Sequence, residues 1–583
     1  MNSEPLFEVV TDSRQLEKHL HHLQTEKVFG IDTETTGLDA LQDKLRLVQV
    51  ATSGYTTIIF DMWSIDGETL GFLRELLSGP AVKVFQNAKF DMKFLHQAGL
   101  SIAGRVFDTY IAGHLLRQKT RLPKLGLDTL TQYYLSMDLP KHEQKSDWSG
   151  NLSAEQYEYA ARDAAVLIPL REAMVRHLQA EDMVDVARLE FGCLRAVTEM
   201  ELTGIQLHLD RWKQLGKQIE QQREEAAFAL NHHLRKPSVQ LSLFGQERDA
   251  LNLDSQQQVL KALKGMGIPI KNTSKNQLLP LATEYPVVQL LLEYRRAAKA
   301  LQAFIYSIPD TIHPVSGRLH PQYHQMGAST GRFSCGHPNL QQIPRSKEFR
   351  SCFVAKPEHK LVIADYSQIE LRVVAEITRD KTMIEAYKTG EDLHRLTASL
   401  VANKALKDVT KQERQAAKAI NFGLVYAMGA RGLQAYAQTT YGVTMSLEEA
   451  ELFRKRFFEA YAGVANWHKS AKASNTKVTR TLAGRTHRWK NDAGVAGLYN
   501  YPVQGTAADI VKQALVDLVD NLSSTSAKIV GMVHDEIILE THFDEAREIA
   551  KLLKETMEQA GSRYLRLVPV VADTMIADNW AEK

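Results

Sequence analysis

GMVHDEIILE, residues 531–540, is a hydrophobic stretch interrupted in its middle. Gly531, Met532 and Val533 lead in, and Ile537, Ile538 and Leu539 lead out. The stretch reads as one buried β-strand carrying His534, Asp535 and Glu536. Burying two adjacent carboxylates costs several kcal/mol per ion, so this strand needs a cation or hydrogen-bond partners at that point. A second hydrophobic strand, KLVIAD (360–365), ends on Asp365 at a strand-to-helix junction. Alone, such an aspartate is most often a helix cap. Two such strands side by side would offer a carboxylate pair to divalent cations. Two metals roughly 4 Å apart can stabilise the attacking and leaving oxygens of an in-line phosphoryl displacement.

The segment ERQAAKAINFGLVYAMGA (413–430) says which phosphates these could be. Arg414, Lys418, Phe422 and Tyr426 recur every four residues, which sets them along one face of a helix. Two cations followed by two aromatics suit a nucleoside triphosphate lying along that face. Read alone, the pattern fits an amphipathic helix with a mixed face equally well.

Composition sets the frame. The 583 residues, 44% hydrophobic and 24% charged, are those of a folded protein of roughly three to four domains. No apolar run approaches the roughly 20 residues that span a bilayer. The opening MNSEPLFEVVTDSRQ has no secretory character. Cys193, Cys335 and Cys352 lie far apart, which favours a reducing, intracellular setting. Net charge is +2, but residues 1–190 carry −7 and the remainder +9, so an acidic front precedes a basic back suited to a polyanion.

Residues 28–34, 45–52, 56–61 and 82–87 read as strands and 155–178 as one helix, which indicates an α/β domain. Residues 210–234 and 287–308 read as long helices, with irregular chain between them. Residues 391–490 read as almost wholly helical, and the last ninety return to α+β.

Three segments together resemble family A DNA polymerases of the bacterial polymerase I type, in the large-fragment arrangement. DYSQIELR (365–372) is similar to motif A, Arg414-x3-Lys418-x3-Phe422-x3-Tyr426 to motif B, and VHDE (533–536) to motif C. STGRFSCGHPNLQQIP (329–344), EDLHRLTA (391–398) and YPVQGTAADIVKQA (501–514) extend the resemblance along the chain. It implies a right-hand polymerase, α+β, with thumb 186–320, palm 321–390 and 491–583, and fingers 391–490. Asp365 and Asp535 would hold metal, with Glu536 as an accessory acid. Arg414, Lys418, Phe422, Tyr426, His394, Glu370 and Gln368 would contact the dNTP. Lys418 would also protonate the pyrophosphate leaving group, and Glu370 would exclude a 2′-hydroxyl. Phe422, lacking a tyrosine hydroxyl, implies poor use of dideoxynucleotides. Arg332, Gln504, His534, Asn339 and Gln341 would contact DNA. The minor groove suits a sequence-blind reader, because A N3 and T O2 offer acceptors in both orientations.

The acidic front fits the same picture. In IDTETTGL (31–38), Asp32 and Glu34 are two apart on a strand and share a face. QNAKFDMKFL (86–95) supplies Asp91, and Tyr159 and Asp163 lie four apart on a helix. Each piece alone is common on protein surfaces. Together they resemble the DEDD 3′–5′ exonucleases of the tyrosine subtype. That resemblance implies an α/β, ribonuclease H-like domain over 1–185, two-metal hydrolysis at Asp32, Glu34, Asp91 and Asp163, and Tyr159 orienting the attacking water.

The expected whole is a DNA-directed DNA polymerase with a proofreading 3′–5′ exonuclease and no 5′ nuclease domain. It would use two Mg²⁺ per site, replaceable by Mn²⁺. Its partners would be primer–template DNA, dNTPs and a single-stranded 3′ end, and it would act as a monomer inside the cell, with no membrane. The alternative is a 3′–5′ nuclease whose polymerase half is an inert DNA-binding scaffold. Ala427, where bacterial relatives usually carry glycine, is the main departure from motif B.

Overall fold

Strand-length apolar runs in the first hundred residues close into one sheet. The computed structural model describes residues 7–54, 56–140, 143, 146–234 and 251–582. Its first sheet has six strands: β1 (Phe7–Val10), β2 (Val28–Thr35), β3 (Leu45–Ala51), β4 (Thr57–Asp61), β5 (Val82–Phe85) and β6 (Val106–Asp108), in the order β1-β4-β3-β2-β5-β6. The three central strands pair antiparallel; β1 joins β4 in parallel, and β5 and β6 run parallel to β2. Every residue of β3 and β4 is buried, because helices cover both faces and a continuous apolar run is then favoured over alternation.

Helices α1 (Ala88–Gln97) and α2 (Thr109–Thr120) follow β5 and β6. The helix expected over 155–178 is two helices, α3 (Ala154–Ala165) and α4 (Leu167–Ala180), separated at Val166. Pro169 explains the break, since it lacks an N–H for the Ala165 carbonyl and its ring crowds that carbonyl. Next come α5 (Val184–Thr203) and a long helix, Leu209–Leu234, packed on Pro286–Ala300. Those two share a separate core built on Leu230, Val259, Leu263, Val288 and Leu291. The second helix ends at Ala300 and gives way to one wider turn, Leu301–Ile305, instead of running to 308. Of the irregular chain expected between the two, residues 235–250 lie outside the described residues.

The C-terminal half is organised by a four-stranded antiparallel sheet of β7 (His359–Tyr366), β8 (Lys528–Val533), β9 (Glu536–His542) and β10 (Ala572–Ala577), in the order β8-β9-β7-β10. The opening stretch is therefore not one strand. It is a hairpin whose strands pair Val533 with Glu536, leaving His534 and Asp535 as a two-residue turn. His534 sits at φ 61, the left-handed conformation that such tight turns demand. Hydrophobicity on both sides of HDE made a reversal look like an interruption.

Helices α6 (Ile369–Thr378), α7 (Leu393–Ala402) and α8 (Lys411–Val425) lead into the helical segment. That segment also contains a short hairpin, Val478–Arg480 with Thr486–Arg488, before α9 (Tyr501–Asn521). A buried charge cluster ties this hairpin to α5 and α9. Arg485 Nε reaches Asp509 at 2.9 Å and its Nη2 reaches Glu190 at 2.5 Å, while Lys512 Nζ meets Glu190 at 2.5 Å. Two cations balance two carboxylates, as burial at 4% exposure or less requires. Gly331 (φ 81) lies against Arg485, and a Cβ there would come within 2.6 Å of Nε. The loop leading to Arg332 is thereby seated on the cluster. No described helix is long and apolar enough to cross a membrane.

Candidate active sites

Strand β2 presents Asp32 and Glu34, both partly buried, on one face. Thr33 faces the other way and its hydroxyl donates to Asp91 Oδ1 at 2.7 Å, which brings α1 to the strand. Burial, then the charges of Asp91, Glu34 and Asp163, holds Asp32 well above the ordinary carboxylate range. Glu34 is raised by burial and by Asp163 and Asp91. Asp91 is pushed up to about 7 by burial, against the lowering effect of its Thr33 bond. The Tyr159 hydroxyl is raised by burial and by Asp163, to which it hydrogen-bonds. The five residues drawn from three separate stretches are thus electrostatic neighbours. Asp108 supports them from behind: it accepts from Asn87 N at 3.0 Å and Ala88 N at 2.9 Å, fixing the start of α1. Among the described residues no three His, Cys, Asp or Glu side chains already form a metal cage. The donors nevertheless suit a hard divalent cation: all are oxygens, and burial, joined at Asp32 and Glu34 by negative neighbours, disfavours their charge until a cation is present.

At the second site, Asp365 lies near the end of β7, in register with Glu536 of β9 and Asp573 of β10. Tyr366 N donates to the Asp535 carbonyl at 3.3 Å, which sets Asp535 beside Asp365. Glu536 is 4% exposed and turns to protein partners. Trp580 Nε1 donates to it and Arg350 pairs with it at 3.5 Å, the guanidinium lying 4.2 Å over the Trp580 ring. Arg350 is therefore a positive charge beside the opening stretch.

Glu370, in the first turn of α6, is clamped by Arg332 on one carboxylate oxygen and the Tyr426 hydroxyl on the other. Tyr426 ends α8, and burial and Glu370 raise its hydroxyl. Along α8, Arg414, Lys418 and Phe422 are partly exposed while Ala417, Ile420, Asn421 and Leu424 are buried, so the four-residue spacing does mark one face. Arg414 Nε bonds Asp392 Oδ2 at 2.7 Å. Asp392 also caps α7. His394, on α7, is pushed down to about 4 by burial, with Arg414 and Lys418 adding to the effect against Asp392. Asn421 accepts from Thr397 Oγ1 at 2.9 Å and places its amide nitrogen 2.9 Å from His394 Nδ1. With Asn421 donating, His394 is a neutral ring with its proton on Nε2. Its ring centroid is 6.0 Å from that of Phe422. Gln368, left-handed at φ 54, accepts from the Tyr387 hydroxyl at 3.2 Å.

Arg332, Gln341, His534 and Asp535 line one small cleft of about 30 Å³ together with Ala507 and Ala508. Gln504 lies one helical turn before those alanines, on α9. Asn339 caps the short turn that carries Gln341, accepting from Gln341 N at 3.1 Å.

Residues 7–179 match the family model of a 3′–5′ exonuclease, and residues 216–582 that of DNA polymerase family A. The chain belongs to DNA polymerase family A. It is 34% identical to DNA polymerase I of Aquifex aeolicus, over 99% of this chain and 100% of that one. It is 31% identical to DNA polymerase I of Chloroflexus aurantiacus, covering 64% of that protein. The structure superposes on the POL domain of Pol1 from M. smegmatis, in complex with DNA primer-template and dNTP, with a TM-score of 0.83 and 26% identity over 99% of each chain. This family A member is a DNA-directed DNA polymerase carrying a 3′–5′ exonuclease domain. Enzymes of both families depend on divalent metal ions.

Several supporting residues escaped the sequence reading. Thr33, Asn421, and Arg350 with Trp580 act across 24 to 186 positions and leave no spacing signal. Asp392 had one: an aspartate immediately before the apolar-periodic start of α7 is a helix-cap signature.

Proposed function

We propose that the chain extends a primer 3′ end with dNTPs along a DNA template at Asp365 and Asp535, and removes unpaired 3′ ends at Asp32, Glu34, Asp91 and Asp163. The reading divides it into an exonuclease domain (1–185), thumb (186–320), palm (321–390 and 491–583) and fingers (391–490). The observation that carries it is the backbone bond from Tyr366 N to the Asp535 carbonyl, which brings Asp535 beside Asp365, far away in sequence, at the end of one sheet. The oxygen-only donors favour Mg²⁺, two ions per site. Such ions, when bound, neutralise phosphate charge and lower the pKa of an attacking hydroxyl or water.

The side chains supply the rest. Arg414 and Lys418 hold the triphosphate, and Arg414 exchanges its bond to Asp392 for phosphate oxygens. Neutral His394 adds an Nε2–H donor. Lys418 gives its proton to the departing pyrophosphate; a Lys418→Ala enzyme with an unchanged single-turnover rate would exclude that role. Glu370, fixed by Arg332 and Tyr426, forms a rigid wall against a 2′-hydroxyl, so dNTPs are selected over NTPs. Glu536, seated by Trp580 and Arg350, is the accessory acid. Gln368 and Phe422 border the nucleotide, and Phe422→Tyr is expected to increase dideoxynucleotide use. Arg332, Gln504, His534, Asn339 and Gln341 position the primer–template. At the other site Tyr159, bonded to Asp163, orients the water.

The test is extension of a labelled primer–template with Mg²⁺, with all four dNTPs and with none. Wild type should extend in the first case and shorten in the second. Asp535→Ala should lose only extension and Asp32→Ala only shortening. A wild type that shortens but never extends would make the polymerase half a scaffold.

A further inference from the structure

Away from both carboxylate groups, the seam between the two halves opens into a cleft of about 880 Å³. One wall is the end of α2 and the turn after it, up to residue 123; the other is residues 477–492, including the hairpin strand Thr486–Arg488. Arg117, Arg121, Lys477, Arg488 and Lys490 line it against one carboxylate, Asp492. The walls are locked together. Arg488 N donates to Gln118 Oε1 at 2.5 Å, and Lys119 and Arg488 share Glu181 at 2.7 and 2.5 Å. Arg117 is fixed by the carbonyls of Leu122 and Pro123 at 3.1 and 2.9 Å. Arg121, Lys477 and Lys490 are exposed at the rim. Trp489 is anchored by its indole N–H on Thr479 Oγ1 at 3.0 Å and stacks at a tilt on His487, 4.1 Å between centroids.

The cleft is not isolated. Through Arg117 and Gln118 it meets a neighbouring cleft of about 380 Å³ that reaches Ala328, Ser329 and Gly331, beside Arg332. Through Arg117 it also meets one of about 800 Å³ that extends to Asn87 and Asp108 behind the exonuclease carboxylates. A basic cleft with one anchored indole has the two components that bind unpaired nucleic acid: cations for the backbone and a flat ring for a base. Its volume suits a few unstacked nucleotides and not a duplex.

We infer that this cleft binds unpaired DNA, with phosphates along Arg121, Lys477 and Lys490 and a base against Trp489. The inference rests on the polymerase reading above, which supplies two sources of such a strand: a frayed primer 3′ end or the template 5′ overhang. The test measures fluorescence anisotropy of the full chain without divalent metal on three labelled DNAs: a blunt duplex, one with an unpaired 3′ tail and one with a 5′ overhang. The variant is Arg121→Gln/Lys477→Gln/Lys490→Gln. Expected is about tenfold weaker binding to one tailed DNA, with a log–log salt slope shallower by about 2 and blunt-duplex affinity unchanged. The affected DNA identifies the strand. Trp489→Leu should weaken the same complex with unchanged salt slope, as loss of stacking alone would. Unchanged affinity for both tailed DNAs, or an equal loss on all three, overturns the inference; the first result would leave the charges to an acidic protein surface. Primer extension separates the two failures. A wild type that never extends removes the underlying reading. A triple variant that extends normally and binds both tailed DNAs like wild type removes only this inference.

Discussion

The two carboxylate sites solve the problem of buried negative charge in opposite ways. Around Asp32, Glu34, Asp91 and Asp163, the carboxylates face one another; burial plus repulsion from these neighbours lifts Asp32 and Glu34, and burial lifts Asp91. Around Asp365, the flanking charges are already matched inside the protein: Glu536 with Arg350 and Trp580, Glu370 with Arg332 and Tyr426, Arg414 with Asp392. The first site therefore holds unmatched repulsion, which an added cation or neutralisation of one carboxylate relieves. Around Asp365 the flanking charges are paired, so under the proposed reading an entering triphosphate would have to take Arg414 from Asp392.

The largest expected effect separates the sites. Asp91→Asn should lower 3′-end hydrolysis by more than ~10³-fold and leave extension within about twofold, because only one site loses a ligand. Single-turnover assays of both reactions on one primer–template check it, and a parallel fall in extension would mean that the sites are not independent.

The buried cluster that joins the halves comes next. Arg485→Met leaves Glu190 and Asp509 with one cation between them, and a loss of about 3–5 kcal/mol is expected. Urea unfolding reads the loss, and a simultaneous fall in DNA affinity would show that the Gly331–Arg332 loop depends on this seat. A loss below about 1 kcal/mol would mean that the cluster contributes little.

His394 sharpens the contrast through pH. Its folded pKa, about 4, lies below the unfolded value of about 6.5. The unfolded chain therefore binds the extra proton first, and stability is lost as pH falls through that window, by about 3 kcal/mol at pH 4. The His394→Gln enzyme should show a flatter profile between pH 6.5 and 4. Identical profiles would mean that this histidine is not kept neutral by the fold.

The repulsion in the first site predicts a gain from its removal. In metal-free buffer, Asp32→Asn should stabilise the chain by about 1–2 kcal/mol, and adding Mg²⁺ should raise the melting temperature of wild type more than that of the variant. A destabilised variant would mean that hydrogen bonding at Asp32 outweighs charge.

The smallest effect concerns Ala427, which follows Tyr426 at φ 58. A left-handed alanine is strained by roughly 1–2 kcal/mol, and glycine's greater freedom in the unfolded chain cancels part of the relief. Ala427→Gly should stabilise by about 0.5 kcal/mol or less and change nucleotide incorporation little. A large change in incorporation would make the alanine a device for holding the Tyr426–Glu370 bond.

What the sequence determined by itself was local. Runs of β-branched and apolar residues gave the strands of the first sheet. The four-residue spacing from Arg414 to Tyr426 gave a helix face, and the alternation of Asp32 and Glu34 gave two carboxylates on one side of a strand. These patterns follow backbone geometry, whose periods are short. The tertiary structure decided which charges meet. It turned VHDE into a hairpin turn, set Asp365 against Glu536 and Asp573, gave Glu536 to Arg350 and Trp580, and buried Glu190 with Arg485 and Lys512 some three hundred residues away. A charge is stable in the interior only beside its partner, and chain folding, not spacing, brings that partner near.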